Sequence, residues 1–134
     1  MKNIILYFIF LSFIAISCRG KSQNTQNSQV ADTQIEWTKK NWNFGNITEG
    51  EIVTHTYYFK NSGNQNLIIK NIDSGCGCTT VSYDKEPLRP GEEGKIEIAF
   101  NSAGRYGKQY KEISIFANIP EKQVTLSFTA NVKE

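Results

Sequence analysis

With 134 residues, of which 39% are hydrophobic and 21% charged, the chain has room for one domain of ordinary globular composition, which excludes a fully disordered or collagen-like polymer. Three cysteines are too few for a disulfide-built scaffold, three prolines and ten glycines too few for low complexity, and a formal charge of +2 is too small to predict nucleic-acid binding. A single histidine narrows metal and acid–base chemistry before any motif is met.

The first element is an address rather than part of a fold. Lys2 supplies a short positive region, and Ile4 to Ile16 is an almost unbroken apolar run, the pattern of a secretory leader. The run falls short of the roughly 20 residues a spanning helix needs. It ends in small residues before a cysteine: Ala15-Ile16-Ser17-Cys18 resembles the lipobox of bacterial lipoproteins, although Ala15 stands where leucine is commoner. That resemblance implies cleavage after residue 17 and acyl chains of the palmitate kind on Cys18, an anchor that exceeds the two-signal threshold for stable membrane attachment.

Cleavage there leaves 117 residues with fourteen basic and thirteen acidic side chains, close to neutral. Residues 18–34 then form a lipid-anchored tether, because Arg19 to Gln34 is rich in Ser, Gln and Asn and holds only Val30 and Ala31 as apolar residues, too few to bury a core. Sixteen such residues reach about 20–24 Å. The stretch after Cys18 lacks the acidic cluster that resembles a surface-export signal, so the expected location is the periplasmic face of the outer membrane.

From Ile35 the period is two, and no run sustains helical spacing over ten residues. Residues 35–134 are therefore predicted to be all-β. In Gly50 to Asn61, Val53, His55, Tyr57 and Phe59 share one face. Asn66 to Ile72 is an apolar run suited to a central strand, Lys95 to Phe100 turns Ile96, Ile98 and Phe100 inward, and Lys111 to Ala117 does the same with Ile113, Ile115 and Ala117. The last strand alternates most clearly, with Val124, Leu126, Phe128, Ala130 and Val132 on its apolar face. Turn chemistry separates these runs at Asn61-Ser-Gly-Asn, at Arg89-Pro-Gly-Glu and around Gly104 and Gly107. About seven strands with turns every 8–12 residues predict an immunoglobulin-like β-sandwich. Phe44, Tyr57, Phe59, Phe100, Phe116 and Phe128 supply its aromatic core, with Trp37 and Trp42 on or beside the first strand.

Asn43-Phe-Gly-Asn-Ile, Gly50-Glu, Phe59-Lys-Asn-Ser-Gly, Ser74-Gly-Cys-Gly-Cys-Thr, Pro90-Gly-Glu and Asn118 before a final alternating strand together resemble the bacterial DUF1573 family. The resemblance covers nearly all of Ile35 to Glu134. It implies an immunoglobulin-like sandwich of the group that includes PapD-like and ASPM-SPD-2-Hydin domains, commonly exported as small lipoproteins by Bacteroidota and their relatives. It brings no settled activity.

If Cys18 carries lipid, Cys76 and Cys78 are the remaining thiols, and three readings of them stay open. They are small buried hydrophobes at a strand start, with Gly75 and Gly77 chosen for backbone freedom. Alternatively they form a redox-active pair, whose disulfide across one residue is hard to close without strain and so would be labile. As a third reading they bind copper or half of a zinc set, with His55 the only imidazole in support. Neighbours Asp73, Ser74 and Thr79 carry no assigned role.

Other candidates are weaker. His55 alternates in register with apolar residues and reads as a half-buried strand histidine. Glu92-Glu93 and Glu49/Glu51 flank turns and read as solvated faces, and Asn46-Ile-Thr48 matches a glycosylation acceptor pattern that has little meaning in a bacterial lipoprotein. The expectation is a non-enzymatic, monomeric binding or scaffolding module with no cofactor and no nucleic-acid partner. It meets another envelope protein by a sheet edge or loop and the membrane through its lipid. The alternative is a thiol redox or copper-handling role at Cys76 and Cys78.

Overall fold

The computed structural model describes residues 32–134. The leader read in residues 1–17, the lipidation site Cys18 and the tether up to residue 31 lie outside the described residues.

Eight strands follow in order: β1 (Ile35–Trp37), β2 (Asn41–Thr48), β3 (Ile52–Asn61), β4 (Ile69–Asp73), β5 (Thr79–Tyr83), β6 (Glu93–Asn101), β7 (Gly107–Ala117) and β8 (Gln123–Lys133). They form two four-stranded sheets, β1-β3-β6-β5 and β2-β8-β7-β4, so the all-β sandwich expected from the alternation is present with one strand more than about seven. Every neighbouring pair runs antiparallel except β2 and β8, which are parallel.

The core forms where the inner faces of the two sheets meet. Ile96, Ile98 and Phe100 of β6 face Ile113, Ile115 and Ala117 of β7 and Leu126, Phe128, Ala130 and Val132 of β8, all 3% exposed or less. Register fixes these sets, since Tyr57 pairs with Ile96 and Ile113 with Leu126, and a slip of one residue would turn each set to water. Tyr57 is fully enclosed and its hydroxyl donates to the Ser127 carbonyl of the opposite sheet at 2.8 Å. Burial pushes this phenol up to about 12. Rings continue the packing, with Trp37 4.9 Å from Phe59 and Phe100 5.2 Å from Phe128.

Three expectations are corrected. Phe116 is not core: with Ile115 and Ala117 turned inward, period two sends it to the outer face of β7, where it is half-buried. Asn66 to Ile72 is not a central strand. Regular pairing starts at Ile69, β4 is the edge of its sheet, and Leu67 instead bridges to Leu88. Thr33 and Gln34, read as the end of the tether, are joined to the domain. Thr33 is buried, its N–H donates to the Asn118 carbonyl and its hydroxyl to Asn61 Oδ1, while the Gln34 carbonyl accepts from Ser62 N–H. Their polar composition hides a role carried by hydrogen bonds rather than by apolar area.

Two buried asparagines hold the end of the sandwich at which Thr33 enters. Asn61 donates from Nδ2 to the carbonyls of Gln65 and Leu88 and accepts at Oδ1 from Gly63 N–H as well as from Thr33. Asn118 accepts from Ile68 N–H and donates to the Asn66 carbonyl. Each is fully buried and substitutes for backbone pairing that the loops cannot supply.

Candidate functional site

Cys76 and Cys78 sit in the crossover that carries the chain from β4 in one sheet to β5 in the other. Asp73 opens the turn by accepting Gly75 N–H at its carboxylate, 2.8 Å away, and Gly75 takes φ +67°, a conformation suited to glycine. The Ser74 hydroxyl lies 3.0 Å from the Thr79 carbonyl and 3.2 Å from that of Cys76, closing the loop on itself. The Cys78 carbonyl then accepts Asn101 N–H at 2.9 Å, which ties the turn to the end of β6.

Within this turn the two cysteines are joined by a disulfide, with Cα atoms 5.3 Å apart, a separation that disulfides ordinarily span. The expected difficulty of closing a bond across one residue is met by leaving strand geometry: the pair lies in a turn before β5, not on the shared face of a strand. The partners differ in environment. Cys78 is 7% exposed and belongs to the core, whereas Cys76 is only half-buried against it. Thr79 Oγ1 lies 3.8 Å from Cys76 Sγ and 3.9 Å from Cys78 Sγ. Disulfide sulfurs carry no proton, so the hydroxyl is the donor. As a disulfide the pair offers no thiolate to a metal, and among the described residues no three His, Cys, Asp or Glu side chains converge into a metal-holding group.

His55 is half-buried on β3 and walled by rings. It stacks on Trp42 at 4.0 Å and 8°, and meets Tyr57 edge-on at 4.6 Å. Burial and then the nearby Lys39 charge hold its imidazole below the ordinary value. This is the strand histidine expected from the alternation. The flanking carboxylates act on turns: Glu49 accepts from Gly104 N–H, Glu51 from Thr48 N–H and Glu92 from Arg89 N–H. They point to separate backbone donors and do not converge.

A feature beyond reach of sequence reasoning lies on the outer face of β2, β8 and β7. A groove of about 480 Å³ runs between Asn43, Asn46, Lys108, Tyr110, Thr129 and Asn131. Its shape depends on the parallel pairing of β2 with β8 and on the register break between Asn43 and Asn46, where Gly45 takes φ +73°. Neither the parallel partner nor the bulge has a period-two signal. The visible trace was Tyr110, a large ring that stands 60% exposed at the rim.

Among known proteins, the family model described as "Protein of unknown function (DUF1573)" matches residues 35–132. No curated protein matches the chain. A protein of unknown function from Porphyromonas gingivalis W83 superposes with a TM-score of 0.67 at 19% identity, covering 81% of this chain and 51% of that one. This chain therefore spans about half the length of that structure. The ASH/PapD-like domain 7 of human CEP192 superposes with a TM-score of 0.60 at 14% identity, over 77% of this chain and 87% of that one. The VesB protease of Vibrio cholerae matches with a TM-score of 0.59 at 16% identity, over 75% of this chain but 32% of its own. At these identities the likeness is one of fold. Among the described residues no helix is long and apolar enough to cross a membrane.

Proposed function

The chain belongs to the DUF1573 family, and from that premise we propose that it is a binding module, held to the membrane by lipid on Cys18 and facing the periplasm, that docks another envelope protein. The observation that supports this most is the β2-β8-β7 groove with exposed Tyr110 on its rim. Exposed tyrosines with amide side chains around them are the chemistry of protein contact surfaces: a rigid ring buries area at little entropic cost and the amides pair with backbone. Tyr106 and Ile52 add further exposed apolar surface. No catalytic role enters this reading; Glu49, Glu51 and Glu92 each accept a separate backbone N–H at a turn.

The test is capture from envelope extracts with the full chain and with Tyr110→Ala. A reproducible partner held by the first and lost by the second supports the proposal. Failure to retain any partner, or equal retention by both, counts against it.

A second reading is favoured by one observation. The disulfide joins a core cysteine to a half-buried one on an exposed crossover, with open space around Gly75 and Gly77. Under this reading the chain takes part in envelope thiol chemistry through Cys76 and Cys78. Counting thiols on the folded chain with and without reductant tests it. A bond that stays closed to reductant until denaturation removes its basis.

A further inference from the structure

Thiol exchange has a direction, and the burial of the two sulfurs sets it. A thiolate attacking a disulfide approaches along the S–S axis, on the far side of the sulfur it strikes, and expels the other sulfur. Attack on Cys78 would come through the core cluster to which it belongs, while attack on Cys76 comes from the side of the turn. A Cβ on Gly75 or Gly77 would meet nothing within 4 Å beyond its chain neighbours, so the glycines on either side of Cys76 leave room beside the turn for an incoming side chain. The direction rests on the difference in burial between the two sulfurs: Thr79 is itself buried, but its hydroxyl lies 3.8 Å from Cys76 Sγ and 3.9 Å from Cys78 Sγ, so it can donate to a thiolate released at either sulfur.

We propose that Cys76–Cys78 is a directional electron acceptor for dithiols, with Cys76 as the sulfur attacked and Cys78 as the one released. The proposal rests on the redox reading above. In the first step a thiolate of an external dithiol forms a bond to Cys76 Sγ as the Cys76–Cys78 bond breaks. The electron pair leaves with Cys78, which takes a proton from water. In the second step the partner's other thiol loses its proton to water and attacks its own sulfur in the mixed disulfide. Cys76 departs as a thiolate and is protonated. The dithiol ends as a disulfide, the protein pair ends as two thiols, and two electrons and two protons have been transferred. Thr79 is a positioning residue: its hydroxyl, close to both sulfurs, can donate to Cys78 when it is released in the first step and to Cys76 when it departs in the second.

The full chain in detergent, folded and oxidised, is incubated with dithiothreitol in one arm and reduced glutathione in another, then quenched in acid. Dithiothreitol is expected to expose two alkylatable thiols without denaturant. Glutathione, which cannot complete the second step alone, is expected to leave an adduct on Cys76 about tenfold more often than on Cys78 when the peptides are mapped by mass. Adducts shared equally, or mainly on Cys78, overturn the direction while leaving the redox reading intact. A bond that resists dithiothreitol until the chain is unfolded overturns both. Thr79→Val, which preserves side-chain volume, is expected to slow reduction by about tenfold, and an unchanged rate overturns the part given to the Thr79 hydroxyl in steadying the released sulfurs.

Discussion

The Asn61 carboxamide joins a strand end to two loops and to the entering segment at Thr33, and its loss takes the side-chain donor from the Gln65 carbonyl, one of two donors from that of Leu88, and the acceptor from Thr33 and Gly63. Asn61→Ala is expected to lower stability by about 3 kcal/mol, measured by urea unfolding followed through tryptophan fluorescence. His55 gives a prediction of a different kind. Its folded-state pKa lies below the ordinary 6.5, so as the pH falls the unfolded chain takes up the proton first. Stability therefore declines from about pH 6.5 downward and levels off below the folded value. The difference in unfolding midpoint between the wild type and His55→Gln should shrink as the pH drops through this window; a difference independent of pH would contradict the assignment. Sequence reasoning placed His55 on the right face because alternation in β3 is regular, but the stack on Trp42 was invisible, since it joins residues from opposite sheets.

Two glycines separate the backbone and packing contributions of the strands. Gly94 on β6 lies against the Phe59 ring, so that an added Cβ would sit 2.5 Å from its Cζ and 2.7 Å from Cε2. Phe59 is 5% exposed and packed on Trp37. Gly94→Ala is therefore expected to destabilise by about 1–3 kcal/mol through overpacking. Gly45 has open space but φ +73°, so Gly45→Ala should cost only the backbone term of about 1–2 kcal/mol, with faster amide exchange confined to β2. Thermal unfolding and hydrogen exchange distinguish the two. The strands themselves were legible where one face is apolar throughout, as in β3, β6, β7 and β8. The Asn66 to Ile72 run misled because apolar content does not distinguish an edge from a centre. Its strand starts late because the backbone of Asn66 and Ile68 is engaged by Asn118. At the cysteines the residue types were legible but their pairing was not, since it depends on a turn conformation that Gly75 permits and Asp73 fixes.

Across the whole molecule the sheets are held by burial and by a few polar ties, with the described disulfide lying in one crossover instead of spanning the core. A bond between residues two apart in sequence restricts the unfolded chain little, about 1–2 kcal/mol on a loop-entropy scale. The Cys76→Ser/Cys78→Ser double variant is thus expected to fold, with a modestly lower urea midpoint. Wholesale loss of β-sheet circular dichroism would instead make the bond a structural staple. The entry of the chain at Thr33 has a mechanical consequence. That residue is hydrogen-bonded to Asn61 at the end of β3 and to Asn118 just after β7, so a pull arriving from the N-terminal side is divided between both sheets before it reaches the short strand β1. The junction behaves as a yoke: tension is shared by the two layers, and peeling β1 from the sheet edge first requires both of these buried bonds to break.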